Sequence, residues 1–183
     1  SQTIKPLSAS LTDRGYSNNG IYYKDIDNNF TPFIGSWKYT NGNQTFIVTF
    51  WKVSQKEFNH FGETYYEDVI FAHYSMYENY GLSNQQLLYT SNTNIAGTTQ
   101  VWNTIFIGNS INPYKLNGSI YDVVGLNNNP NFPRGVIGKL SLSINPNTNP
   151  LTAQLTISKE RELMTPGQPN SFVIPTNVVL TKM

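Results

Sequence analysis

The sequence contains no cysteine, and this absence excludes several classes of protein at once. A chain without thiols has no disulfide framework, no thiolate metal site and no cysteine nucleophile. Its 183 residues are about the length of one domain. A chain of that size buries enough surface to fold without cross-links. We therefore expect one domain that is stabilised by its own core.

Charge is also scarce. Charged residues make up 13% of the chain, whereas a typical soluble domain has about 25%. Twelve basic and eleven acidic residues give a net charge of +1, so the positive surface that nucleic acids require is missing. No run approaches the ~18 consecutive apolar residues of a membrane-spanning helix. We expect no nucleic-acid partner and no transmembrane segment.

The polar surface must instead come from Asn, Thr, Ser, Gln and Tyr, with Asn clustered in runs such as 127–129 and 145–149. A neutral surface of this kind is typical of exported bacterial β proteins. The chain begins with Ser1 instead of Met, as a chain does after removal of a signal peptide. These features predict a secreted, periplasmic or cell-surface location.

Apolar and polar residues alternate with period two, the pattern of β-strands. Alternation over 136–144 and 151–158, with Pro146 and Pro150 between them, predicts one hairpin. Segments 33–40 and 44–53 flank an Asn-Gly dipeptide, which favours a tight hairpin turn. Further strands are predicted near 65–77, 86–90, 101–107, 118–124 and 172–182.

These segments predict an all-β fold, an antiparallel barrel of about 8–10 strands, with a β-sandwich as the alternative. The strands at 44–53 and 65–77 are apolar on both faces, which indicates an additional covering layer. We expect a single β domain over 1–183. Within it, 1–32 would be an irregular segment that packs on a barrel formed by 33–183.

The chemically reactive residues form no recognisable catalytic motif. His60 and His73 are the only histidines, and they lack the H-E-x-x-H spacing of zinc enzymes. Glu67 and Asp68 are adjacent on a strand and should point to opposite faces, whereas Glu63 and Glu67 can share one. No G-x-S-x-G motif is present. We expect no catalytic residue, metal or cofactor, unless Glu63, Glu67 or His73 meet in a deep cleft.

Aromatic residues are abundant, with twelve Tyr, ten Phe and three Trp. They serve either as cross-strand packing or as a binding surface. If the barrel has a lumen, alternate residues of its strands would line it. The candidate lining residues, which are equally good core residues, are Phe46, Phe50, Phe71, Tyr77, Trp102 and Phe106.

Two functions are compatible with these patterns. The first is a non-catalytic, monomeric binding module that holds a small apolar or amphipathic ligand in the barrel lumen. The alternative is a module of the cell envelope whose Tyr- and Asn-rich surface recognises a glycan or a protein, with no small-molecule ligand.

Gly35-Ser36-Trp37 resembles the G-x-W signature of lipocalins and other calycin barrels. In those families the Trp closes one end of the barrel beneath a basic residue near the last strand. The resemblance implies a calycin-like barrel closed by Trp37 and Lys182. A cation–π contact between them would contribute about 1 kcal/mol and requires a separation below about 6 Å.

A wider resemblance covers most of the chain. Segments 23–29, 33–39, 66–70 and 174–182 resemble a family of small exported bacterial proteins of unknown function. The resemblance implies a β fold and export, and it implies no activity. Some members are lipoproteins, but this chain has no cysteine that could carry a lipid.

Overall fold

The structure is a computed structural model that describes residues 2–13, 18–60, 62–94, 98–99, 106–124, 135–160 and 169–183. These ranges contain eleven β-strands and one short 3-10 helix, Leu7–Leu11, and they contain no α-helix. The strands are β1 Thr3–Pro6, β2 Ile21–Lys24, β3 Gly35–Asn41, β4 Gln44–His60, β5 Glu63–Glu78, β6 Gln86–Thr90, β7 Phe106–Asn112, β8 Lys115–Asp122, β9 Val136–Asn145, β10 Thr152–Lys159 and β11 Asn177–Lys182. No helix in the described ranges has the length and apolar character needed to cross a bilayer.

Eight of the strands close into an antiparallel barrel in the order β5-β4-β3-β11-β10-β9-β8-β7 and back to β5. The closing pair, β5 with β7, joins Ile70–Ala72 to Phe106–Gly108 in antiparallel register. The predicted antiparallel barrel is therefore confirmed over the β-sandwich. Closure leaves no open sheet edge among these eight strands.

The length of β5 organises the rest of the molecule. Its 16 residues pair with β2 at Tyr66 and Glu67, with β7 at the centre, and with β6 from Ser75 onward. Strand β2 runs parallel to β5, and β1 runs parallel to β2. The first residues, expected to be irregular, thus add two strands beyond the barrel wall.

Both predicted hairpins form, β3 with β4 around Gly42 and β9 with β10 across the Asn- and Pro-rich loop. Two boundaries differ from the prediction. Strand β7 extends to Asn112, and 101–105 lies outside the described residues. The last strand begins at Asn177 instead of 172, because the N–H groups of Val173 and Ile174 donate to the Asp122 carboxylate (2.6 and 3.2 Å) and not to a neighbouring strand.

Side chains fill the barrel interior. The register of β4 against β5 places Phe46, Val48 and Phe50 opposite Met76, Tyr74 and Ala72, all on the inner face. Further fully buried residues come from the opposite wall, namely Leu116, Leu142 and Leu180. They belong to one continuous apolar cluster. An eight-stranded barrel is just wide enough for its own side chains to fill.

One end of the barrel is closed around Trp37, which is 0% exposed. The indole N–H donates to the carbonyl of Phe33 (2.8 Å). Lys182 is paired with Trp37 across β11 and β3. Its ammonium lies 5.5 Å from the centre of the indole ring, within the range of a cation–π contact, and donates to the carbonyl of Pro32 (2.8 Å). Burial lowers the pKa of Lys182.

The opposite end is organised by the buried carboxylate of Asp122. It accepts hydrogen bonds from the Tyr74 hydroxyl (3.3 Å) and from the N–H of Val124 (3.1 Å). Together with the bonds from Val173 and Ile174, these contacts hold the segment before β11 across this end. Gly135 packs against the backbone of Asp122, where an added Cβ would clash with the Asp122 carbonyl oxygen.

Candidate functional site

The predicted lumen residues separate onto two faces of the sheet. Phe46 and Phe50 point inward and are each 1% exposed. Phe71 pairs with Trp51 and Tyr77 pairs with Thr45, so both lie on the outer face, and assigning them to the lumen is wrong.

Two other predicted lining residues give less information. Phe106 is described as the first residue of β7, and Trp102 lies outside the described residues.

Strands β4 and β5 continue past the Trp37 end as a long hairpin, here called the ribbon, and β2 pairs with the free edge of its β5 strand. A β-bulge between Val53 and Lys56, with Gln55 at a φ of 54°, shifts the register by one residue. A bulge changes which face the following side chains occupy. As a result Phe58 and His60 of β4 share the outer face with Tyr65 and Glu63 of β5. Two cavities are built on this outer face.

The first cavity, here called the neutral groove, has a volume of about 660 Å³ and lies on the barrel wall. Four rings form its floor and rim. Trp51 meets His73 edge to face with ring centres 5.0 Å apart, and the ring centres of Tyr77 and Tyr80 are 5.3 Å apart. All four are partly exposed.

Four hydroxyl groups, one amide and three apolar side chains complete the described lining of the neutral groove. Ser36 and Thr49 are hydrogen bonded at 2.8 Å, and the Ser75 hydroxyl donates to that of Thr90 (2.9 Å). The described lining includes no Asp, Glu, Lys or Arg side chain. The surface therefore offers aromatic faces and neutral donors and acceptors together.

The second cavity, here called the Glu67 pocket, has a volume of about 440 Å³ and lies on the ribbon. Alternate residues of β5 place Glu63, Tyr65 and Glu67 on one wall. Tyr23 of β2 meets Tyr65 edge to face at 6.2 Å. The remaining lining comes from the 3-10 helix, the loop before β2 and strands β4 and β7, as Ser10, Leu11, Asn18, His60 and Asn109.

Glu67 is an acid of this pocket whose pKa is strongly perturbed. Its pKa is raised to about 7, mainly by burial and to a smaller extent by the nearby Asp68 charge, while a hydrogen bond from Ser10 acts in the opposite direction. The Asn109 side-chain amide N–H donates to Glu67 Oε1 (2.8 Å). The Oδ1 atom of Asn109 is buried and has no hydrogen-bond partner within the described part of the chain.

Asp68, one residue later, faces inward and is 0% exposed. It accepts hydrogen bonds from the Tyr22 hydroxyl (2.6 Å) and the N–H of Asp25 and Gln55 (both 3.0 Å). The Lys52 ammonium lies 2.9 Å away. Burial raises the pKa of Asp68, but these hydrogen bonds outweigh it, so that the net pKa is lowered. Asp68 thus fixes the N-terminal strands to the barrel.

Sequence reasoning found part of these sites. It predicted the opposite faces of Glu67 and Asp68, and it allowed a shared face for Glu63 and Glu67. It gave no indication that Asn109, 42 residues away, would contact Glu67. His73 lies in the neutral groove, apart from the two glutamates. Across the described ranges, no three His, Asp or Glu residues are grouped to hold a metal ion.

These features define the molecule as a closed antiparallel β-barrel with ligand-sized cavities on its outer wall. The chain belongs to a family of unknown function, DUF6705, whose model matches residues 8–183. The predicted relationship to a family without an assigned activity is thereby confirmed. No curated protein and no solved structure matches the chain.

Proposed function

We propose that this protein is a non-catalytic binding module that acts outside the cytoplasm and holds a neutral glycan in the neutral groove. One observation carries the proposal. The groove combines four partly exposed aromatic rings with Ser and Thr hydroxyls, and its described lining has no Asp, Glu, Lys or Arg side chain.

The chemistry of a sugar matches this lining. A sugar ring has apolar C–H faces and a rim of hydroxyl groups. The faces carry partial positive charge and pack on the electron-rich faces of aromatic rings such as Trp51 and Tyr77. The rim requires donors and acceptors, and each Ser or Thr hydroxyl supplies both. The cavity volume of about 660 Å³ is in the usual range for ligand sites.

The packing of the barrel interior favours a ligand site on the outer wall over one in the lumen. Phe46 and Phe50 pack with Trp37 and Tyr74 in one fully buried cluster. A lumen ligand would have to displace these side chains. Displacing a buried aromatic residue costs roughly 3 kcal/mol or more, judged from core truncations. The outer groove can accept a ligand without rearrangement of the core.

Localisation outside the cytoplasm rests on composition. Charged residues are only 13% of the chain, and the polar surface is made of neutral side chains. The same neutral polar chemistry supports glycan recognition, because neutral hydroxyls and amides pair with sugar hydroxyls at little desolvation cost compared with ions.

The experiment is a panel of immobilised neutral and acidic glycans probed with the purified protein. We expect binding to neutral members. Replacement by Trp51→Ala or Tyr77→Ala should weaken it at least tenfold. Tyr114→Ala is the matched control, because Tyr114 is an exposed aromatic residue outside the groove.

Two results would overturn the proposal. One is unchanged glycan binding in both groove variants. The other is a complete lack of glycan binding combined with an apolar molecule that native mass spectrometry finds bound before, and not after, organic extraction. That second result would favour a ligand in the lumen.

A further inference from the structure

We propose that the Glu67 pocket is a second binding site, specific for a ligand with a primary ammonium group. It differs from the neutral groove in position and chemistry. The inference does not depend on the glycan proposal, because none of the pocket residues lines the groove.

The pocket presents acceptors that lack donors. Glu67 receives one hydrogen bond from the Asn109 amide and one from Ser10, although a carboxylate has about four lone-pair positions. The Oδ1 atom of Asn109 is buried without a partner beside it. A buried acceptor without a donor is destabilising, because no hydrogen bond replaces those it made with water. A ligand that brings several N–H groups would satisfy both residues.

The charges around Glu67 favour a cation. Its own strand contributes Glu63 and Tyr65 to the pocket and Asp68 on the reverse face. Within the described residues Glu67 forms no ion pair. Among the described residues, the titratable groups of the neighbouring elements on the same side as Glu67 are His60 and Lys56 of β4, Tyr23 of β2, Lys5 of β1 and Asp13 after the 3-10 helix.

The nearby cations have other contacts. Lys5 forms an ion pair with Asp13 (2.7 Å). Lys56 is opposite Glu67 in the register, but its ammonium lies 6.0 Å from the centre of the Phe58 ring. The described lining of the pocket contains no Lys or Arg. A ligand ammonium would therefore meet carboxylates and ring faces, with no Lys or Arg side chain among the described residues of the wall.

The aromatic wall suits the same ligand. Tyr65 stacks on Phe58 with ring centres 5.4 Å apart and meets Tyr23 edge to face. A cation over the face of such a ring is attracted by the electron-rich π-system. A primary ammonium has three N–H donors in addition to this attraction. A quaternary ammonium keeps the attraction to the rings but lacks the donors that Glu67 and Asn109 require.

The test uses n-butylammonium as the probe, with butyltrimethylammonium and 1-butanol as comparison compounds. Chemical-shift changes of the Asn109 side-chain amide report on binding in the unmodified protein. We expect the primary ammonium to bind at least tenfold more tightly than the trimethyl compound, and 1-butanol to give no saturable shift. Equal binding of the two cations would overturn the proposal.

A variant pair and a pH series complete the test. Glu67→Gln should weaken binding of n-butylammonium at least tenfold. Glu57→Gln, on the reverse face of the same ribbon, should leave it unchanged. Affinity should rise about tenfold from pH 6 to pH 8, because Glu67 ionises across this range while an alkylammonium stays charged. A pH-independent affinity, or equal effects of the two variants, would contradict the assignment.

Trp51→Ala distinguishes the two proposals. It should reduce glycan binding and leave n-butylammonium binding unchanged, because Trp51 lines only the neutral groove of the two cavities. Loss of both glycan binding and n-butylammonium binding in this one variant would refute the claim that the sites are separate.

Discussion

Glu67 and Asp68 are neighbours in the chain, yet they have opposite properties. Asp68 faces the barrel side of β5, where three hydrogen-bond donors and Lys52 surround it and its net pKa is lowered. Glu67 faces the outer side, where burial raises its pKa to about 7. The contrast shows that the surrounding donors, more than burial itself, determine which charge state is stable.

The same contrast extends along the sheet formed by β4 and β5. On the inner face, Phe50 and Ala72 are opposite each other in the filled core. On the outer face, Trp51 is partly exposed and lines the neutral groove. One face therefore stabilises the fold, and the other carries the cavities to which we assign binding. Substitutions of adjacent residues should separate stability from binding.

The largest expected effect is on the inner aromatic residue. Phe50→Ala should lower the free energy of unfolding by about 3–5 kcal/mol, because it removes a fully buried ring and leaves a cavity. Trp51→Ala should lower it by less than half as much, since its side chain is already partly solvated. Urea denaturation of both variants measures the difference. Equal losses would contradict the assignment of the two faces.

The second effect concerns the two acids. Asp68→Asn should lower the free energy of unfolding by about 2–4 kcal/mol, because among the described carboxylates Lys52 keeps only Asp25, at 3.4 Å, and an amide N–H group replaces an acceptor. Glu67→Gln should change stability at pH 7 by about 1 kcal/mol or less. The two denaturation curves should therefore differ clearly in midpoint. A larger loss for the Glu67 variant would reverse the roles that the geometry assigns.

The sequence predicts local pairing well and distant pairing poorly. The Asn-Gly turn and the alternation of 136–144 gave two hairpins, because both signals lie within the paired segments. The contact of β5 with β7, which closes the barrel, joins segments about 36 residues apart and has no local signal. The contact of Asn109 with Glu67 was missed for the same reason, because the two residues are 42 positions apart and no local pattern connects them.

Face assignment failed for a different physical reason. Alternation correctly separates Phe71 and Tyr77 from Ile70 and Ala72. Both groups are apolar, however, and Phe71 is buried on the outer face by packing that includes Trp51. Hydrophobicity alone therefore could not decide which set faced the interior. The adjacent acids Glu67 and Asp68 did not indicate the inward face either, because Asp68 is fully buried and Glu67 is partly buried in the folded state.

A third effect is the pH dependence of stability, with opposite signs for the two acids. The pKa of Glu67 is raised from 4.5 to about 7. Its contribution to the free energy of unfolding is therefore fully present below pH 4.5 and is lost as the pH rises through 7. The loss should be about 1–2 kcal/mol once solvent screening is allowed for. The lowered pKa of Asp68 contributes stability above about pH 4, which is lost on further acidification.

Unfolding at a series of pH values separates the two contributions. Glu67→Gln should remove the decline between pH 5 and 8 and retain the acid limb. Asp68→Asn should weaken the acid limb and retain the decline. If Glu67→Gln leaves the decline near neutral pH unchanged, another group must be responsible for it.

The smallest effect tests the closure of the barrel on the inner face, at the end where β11 meets β3. Lys182→Met keeps the apolar stem that covers Trp37 and removes the ammonium, which lies 5.5 Å from the indole and donates to the Pro32 carbonyl. We expect a loss of about 1 kcal/mol in the free energy of unfolding, because the cation–π contact and the hydrogen bond are partly offset by the cost of burying the charge.

Lys38→Met, on the exposed face of the adjacent strand, is the control and should change stability by less than about 0.5 kcal/mol. Since burial lowers the pKa of Lys182, raising the pH toward 10 should neutralise its ammonium and narrow the difference in stability between the unmodified protein and Lys182→Met. A difference that stays constant up to pH 10 would show that packing of the stem, and not the charge, closes this end.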